Sequence, residues 1–187
     1  RYVAYTARAT NVFDVYRYDT QSGASTLVSA NLGNGGHSLA ADPSSSPAVS
    51  ADGRYVLFQS YALDLTPGAS VRTNHYLRDM QLGTTLALTA NTSKASVASM
   101  TPDGHYVALG FSATAPGLFV FDIQSGQFVF TNSTTGITNI SISPDGQRIA
   151  YVLSSGLWLL DRVANTNRQL TTYFNSKRPG LKFSADG

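Results

Sequence analysis

The chain has 187 residues, a formal net charge of +2 and no cysteine. Its length sets one domain as the default, its singly scattered arginines form no basic stripe for nucleic acid or an anionic membrane, and without Cys it has neither disulfide nor thiolate chemistry. All eleven acids are Asp and only three Lys stand beside ten Arg, so the usual helix formers are scarce while Thr, Tyr, Val and Phe favour strands.

In chain order, strands are predicted at 2–6, 12–19 and 25–29, with Gln21-Ser22-Gly23 as the turn between the last two. Residues 30–46, rich in Gly and Ser and holding Asp42-Pro43, read as a long surface loop before a short strand at 47–50. The next strands fall at 55–59, 75–80 and 85–89, with a second long loop over 60–74. Further strands are predicted at 97–100, 106–110, 118–123 and 127–131, then at 139–142, 148–153, 157–162 and 168–171, and a last one at 180–183. No apolar run reaches the roughly 18 residues of a membrane helix. The start, Arg1-Tyr2-Val3, resembles neither a signal peptide nor an initiator Met, and the chain reads as cut from something longer.

One motif recurs through this series. Ser50-Ala-Asp-Gly-Arg-Tyr-Val-Leu-Phe58 returns as Thr101-Pro-Asp-Gly-His-Tyr-Val-Ala-Leu109 and as Ser143-Pro-Asp-Gly-Gln-Arg-Ile-Ala-Tyr151. A fourth copy is split, with Ser184-Ala-Asp-Gly187 at one end of the chain and Arg1-Tyr-Val-Ala-Tyr5 at the other. Asp-Gly is a hairpin-turn dipeptide, and the β-branched and aromatic residues after it are strand-forming. The turn glycines Gly53, Gly104, Gly146 and Gly187 are 51, 42 and 41 residues apart. Four short strands in such a period describe a β-propeller blade. The expected fold is therefore all-β: a propeller of four-stranded antiparallel blades, four blade-equivalents per chain, in a single propeller or half-propeller domain. The repeats run over 1–46, 47–96, 97–138 and 139–179, and 180–187 completes the blade begun at residue 1.

The Ser-x-Asp-Gly-Arg-Tyr-Val motif resembles the TolB-type, WD40-like propeller repeat of bacteria, the PD40 class. The second unit, with Asp64-Leu-Thr-Pro-Gly68, Asn74-His-Tyr-Leu-Arg-Asp79 and Leu82-Gly-Thr-Thr85, is similar to a repeat common in large bacterial secreted and surface proteins. The resemblance implies scaffolds, docking platforms and gates on enzyme domains, and a periplasmic or extracellular setting. In that repeat the loop before the third strand often carries a string of Asp and Asn that holds a cation. Here it reads Ala69-Ser-Val-Arg-Thr-Asn74, so no metal is carried over.

Repeat position accounts for most of the polar residues. Asp52, Asp103, Asp145 and Asp186 occupy hairpin turns, while Asp19, Asp79, Asp122 and Asp161 end third strands. Of the remaining acids, Asp14 reads as a solvated edge residue and Asp42 as a turn starter, which leaves too few loop carboxylates for a glycosidase pair or a metal cage. His105 fills a variable turn slot, and His37 and His75 are too few for a zinc site. No nucleophile elbow and no phosphate-binding glycine loop is present, so no catalytic residue and no cofactor is expected. Trp158 stands where other units have Tyr16, Tyr76 and Phe119, and it reads as packing between blades, as do Tyr2, Tyr55, Tyr106 and Tyr151.

In an up-and-down blade both long loops emerge on the face opposite the Asp-Gly turns. That face is the candidate binding site, with His37, Asp42, Tyr61, Asp64, Arg72 and His75 from the long loops. Arg8, Asn11, Asn132, Asn175 and Lys177 join them from the other loops. The expected function is a non-enzymatic scaffold that binds a protein, peptide or glycan there, or an excised or engineered repeat fragment that assembles into a larger ring. The alternative is the propeller domain of a secreted or periplasmic hydrolase or lyase whose catalytic part lies elsewhere. Strand 180–183 is expected to close a blade against strand 2–6 without a covalent link, either within one chain or between two chains forming an eight-bladed ring. Neither a nucleic acid nor a membrane is expected as a partner.

Overall fold

A computed structural model describes residues 1–8, 12–33, 35–36, 44–67, 74–89, 95–111, 117–172 and 180–187. All regular elements among them are strands. The first sheet holds β1 (Tyr2–Arg8), β2 (Phe13–Asp19) and β3 (Ala24–Leu27), paired in that order. The second holds β4 (Ser44–Val49), β5 (Tyr55–Ser60), β6 (Asn74–Asp79) and β7 (Thr84–Ala87). The third consists of β8 (Ala95–Met100), β9 (Tyr106–Phe111), β10 (Leu118–Asp122) and β11 (Gln127–Asn132). In the fourth are β12 (Asn139–Ile142), β13 (Arg148–Leu153), β14 (Gly156–Asp161) and β15 (Thr166–Thr171). All pairings are antiparallel and between sequence neighbours, as short hairpin connections dictate.

The strands fall into two compact units, Arg1–Thr92 and Ser93–Gly187, each containing two sheets. In the first unit, Val15 and Val28 of the first sheet pack on Val56, Phe58 and Tyr76 of the second, with Ala62 and Leu65 of the following loop closing one end. In the second unit, Ala108, Leu118 and Val120 of the third sheet pack on Ile140, Ile142, Ile149, Tyr151 and Leu160 of the fourth, and Trp158 borders this core. Trp158 thus serves sheet-to-sheet packing, as its repeat position indicates.

The acids at repeat positions hold turns. Asp52, Asp103 and Asp145 each accept the backbone N–H two residues on, at 2.9 Å, and the hydroxyl of Ser50, Thr101 or Ser143 two residues back. Asp79, Asp122 and Asp161 each accept two backbone N–H groups of the turn after them, and Asp19 accepts that of Gln21. Arg1 and Arg54, which come directly after Asp-Gly in the split motif or in the intact one, form ion pairs of 2.8 Å with Asp19 and Asp79. The Arg1 guanidinium and the Gln21 N–H hold the Asp19 carboxyl well below the usual range.

Two junctions between sheets share one device. The Tyr2 ring lies on the turn glycine Gly53 and the Tyr106 ring on Gly146, where a Cβ would overlap the ring. Both glycines have φ near +70°, at +75° and +72°, so the same residue meets the turn geometry and the close approach. Each ring also carries a cation, with Arg17 lying 4.8 Å from the Tyr2 ring centre and Arg162 lying 4.5 Å from that of Tyr106.

Two strand expectations are corrected. The segment 180–183 forms no strand, and among the described residues the first sheet holds three strands, β1, β2 and β3. An extended segment becomes a strand only when a ladder satisfies its backbone groups. The adjoining Ser184–Gly187 turn needs no such partner and is formed, with the Gly187 N–H donating to the Ser184 carbonyl at 3.2 Å. Secondly, β4 begins three residues earlier than expected, at Ser44, because Ser46 takes a φ of +53° in a bulge that lets Ser44 and Ser45 pair with Ser60 and Gln59.

Candidate binding surface at the loop end

In the first unit the two long connections leave the sheets at the end opposite the Asp-Gly turns and meet there. The Leu32 N–H, after β3, donates to the Asp64 carbonyl, after β5, at 2.9 Å. The base of the first connection is itself folded, with the Asn31 N–H bonded to Gly36 O and the Asn31 side chain accepting from the Gly33 N–H. Around this contact the chain exposes Leu32, Tyr61 and Leu63, and β2 starts at the same end with the exposed Phe13, the register partner of Arg8. Isolated exposed apolar residues are ordinary; several on two loops that hydrogen-bond to each other form a surface suited to a partner.

A buried polar network fixes the second loop to the sheet. The Ser44 hydroxyl donates to Ser60 Oγ at 2.8 Å, and Ser60 Oγ accepts the Ala62 N–H. Tyr76 Oη donates to the Ala62 carbonyl at 2.9 Å and accepts from Asn74 Nδ2, whose Oδ1 accepts from Thr89 Oγ1. Thr89 Oγ1 also receives the His75 N–H, so the network runs from β4 to the chain beyond β7. Burial first, and then the nearby charge of Asp64, raise the Tyr76 hydroxyl above the usual tyrosine range, so it stays a donor. In the first sheet Asp14 and Ser29 take the places of Asn74 and Thr89: the Ser29 hydroxyl donates to Asp14 Oδ1 at 2.7 Å and accepts the Val15 N–H. Asp14 is therefore not the solvated edge residue its sequence position implies. It is fully buried, because it lies where β2 meets the returning chain rather than on a free edge.

The sequence-derived site residues divide into three groups. Tyr61 is exposed and Asp64 half-buried beside the loop junction, and Arg8 is exposed at the end of β1. His75 is not presented to solvent: β6 is buried over its first four residues, and burial pushes the imidazole down to about 4, so it is neutral at neutral pH. Asn132, in the second unit, has its side chain occupied by the Thr134 N–H and hydroxyl. His37, Asp42, Arg72, Lys177, Asn11 and Asn175 lie outside the described residues. Reading single residues missed Asp14, Ser29, Asn74 and Thr89. The signal was there, because each pair is 15 residues apart in its own repeat, an Asp or Asn followed by a Ser or Thr.

No family model and no curated protein matches this chain. Among solved structures it is similar to TolB from Acinetobacter baumannii, at 17% identity and a TM-score of 0.60, over 95% of this chain and 42% of that one. Hydrazine synthase from Kuenenia stuttgartiensis also matches, at 18% identity and a TM-score of 0.47, over 66% of this chain and 34% of that one. The likeness to TolB, together with four repeated antiparallel sheets, makes this a TolB-like β-propeller fold. The chain spans about two-fifths of the TolB chain it matches, and at this identity the likeness is one of fold.

Proposed function

We propose that the chain is a non-enzymatic binding module that takes a protein or peptide on the loop end of its first unit. The carrying observation is the Leu32–Asp64 backbone hydrogen bond, which joins two loops that expose Leu32, Tyr61 and Leu63. Apolar side chains on loops anchored by a buried network suit a polypeptide partner, which supplies both apolar contacts and backbone groups. The acids favour this reading over hydrolysis, since those at repeat positions are engaged in turns.

The test is selection of peptides and glycans on immobilised residues 1–187, followed by titration against a Tyr61→Ser, Leu63→Ser double variant whose thermal melt matches the parent. Selected peptides should bind the variant at least tenfold more weakly. Selecting no ligand, or ligands indifferent to the double substitution, removes the site. Turnover in a hydrolase or lyase screen, kept by the variant, transfers the reading to an enzyme.

A further inference from the structure

Strand alternation gathers a polar cluster on one face of the fourth sheet. Ile149, Tyr151 and Leu160 pack on the third sheet, so the residues that alternate with them along β13, β14 and β15 turn the other way. On that face Arg148, Asp161 and Thr166 are register partners across the three strands, and Leu159 and Arg168 are partners in the next row. These five side chains, all from this one sheet, line a groove of about 480 Å³. Arg148, Thr166 and Arg168 are exposed, while Leu159 and Asp161 are half-buried.

In the other repeats the acid that ends the third strand has a basic neighbour of its own. The residue after Asp-Gly stands against it, at 2.8 Å for Arg1 with Asp19 and for Arg54 with Asp79, and at 3.6 Å for His105 with Asp122. In the fourth repeat that residue is Gln147, and the cations are placed differently. Arg148 stands where the other copies have Tyr2, Tyr55 and Tyr106, and Arg168 is the register partner of Leu159, as Leu86 is of Leu77. Among the described residues Asp161 keeps its turn bonds alone, with Oδ1 accepting the Val163 and Ala164 N–H groups, and neither guanidinium of the groove forms a hydrogen bond or an ion pair.

Two arginines and one aspartate leave the groove a formal charge of +1. That charge complements a single carboxylate better than a phosphate dianion, and the guanidinium fork matches the planar carboxylate with paired donors. Thr166 adds a hydroxyl donor, Leu159 an aliphatic floor for methylene groups, and Asp161 an acceptor for an N–H. An acidic residue within a peptide carries all the complementary parts: a carboxylate, a methylene stem and a backbone N–H.

We propose that this groove binds an acidic residue of a polypeptide, with Arg148 and Arg168 holding its carboxylate and Asp161 accepting a backbone N–H beside it. The site shares no residue with the loop end of the first unit, so either can fail without the other.

The experiment is an anisotropy titration of a rhodamine-labelled peptide of alternating Glu and Gly with residues 1–187 at physiological salt, alongside the same peptide with Gln for Glu. The Glu peptide should bind saturably and the Gln peptide should not. Arg148→Gln and Arg168→Gln should each weaken binding about tenfold, the loss of a hydrogen bond to a charged group. Lys182→Gln, which removes an exposed cation outside the groove, should bind as the parent does, and so should the Tyr61→Ser, Leu63→Ser double variant. Absence of saturable binding overturns the inference. So does an equal loss in Lys182→Gln, which assigns the binding to general attraction, and so does inorganic phosphate binding that needs both arginines while the Glu peptide is ignored. Should an arginine variant melt below the parent, methyl NMR spectra of the parent decide. The peptide should shift Leu159, and shifts confined to Leu32 and Leu63 overturn the groove.

Discussion

At the loop end the two units solve one problem with opposite chemistry. Where β2 and β6 begin, the first unit places Asp14 and Asn74, each hydrogen-bonded to a hydroxyl 15 residues on. At the equivalent positions, before β10 and at the start of β14, the second unit has Gly117 and Gly156. There the backbone itself fills the space: a Cβ at Gly117 would overlap the Thr134 carbonyl, and one at Gly156 the Thr171 carbonyl. A polar side chain holds the chain ends apart and occupies the gap, whereas glycine lets them close on each other. In the second and fourth sheets the difference goes with the connection, since β5 and β6 are joined by residues 61–73 and β13 and β14 by Ser154 and Ser155 alone; in the first and third it does not, since residues 9–12 precede β2 and 112–117 precede β10.

Exchanging these solutions should break each unit in its own way. The largest effect is expected for Gly156→Asn, which puts a side chain into the Thr171 carbonyl at a φ of +131°. It should cost about 4 kcal/mol in urea unfolding, and an unchanged midpoint would mean that the close approach is not required. Next comes His75, beside Asn74 in the first unit. Burial lowers its imidazole from 6.5 to about 4, so between those values the unfolded chain binds a proton that the folded chain does not. Its contribution is complete above pH 6.5 and falls as the pH drops towards 4, by about 3 kcal/mol in all. His75→Leu should flatten that part of the stability profile, and a parallel profile in the variant would assign the pH dependence elsewhere. The smallest effect of the three belongs to Asn74→Gly, the reverse exchange. It leaves Thr89 and Tyr76 without their amide partner and should cost about 2 kcal/mol, with the loop around Tyr61 exchanging amide protons faster than in the parent. Equal exchange would show that the network does not fix the loop.

How much of this was legible in the sequence depended on the range of the interaction. The Asp-Gly turns, the strand-ending acids and the four-strand period were readable because each is fixed by residues within a few positions, as in Ser50, Asp52 and Arg54. The start of β4 was not, since a Ser-rich run before Pro47 has loop composition and becomes a strand only through its pairing with Ser60 and Gln59. Asp14 and His75 were misread for the same reason: exposure depends on what another repeat brings across, which neither residue's own neighbours reveal. Blade topology sends both insertions of the first unit to one end, and the Leu32–Asp64 bond joins them there. Its exposed leucines were overlooked because a search for polar ligands passes over apolar residues in loops.

The tyrosine that lies on a turn glycine has a consequence for how such a chain can change over generations. Tyr2 and Gly53, like Tyr106 and Gly146, belong to successive repeats, so within each unit one repeat carries the key and the next the keyhole. A duplicated pair of repeats arrives with both halves already compatible. Arrays of this kind can lengthen or shorten by such pairs without inventing a new joint inside them, while the loops at the far end remain free to diverge.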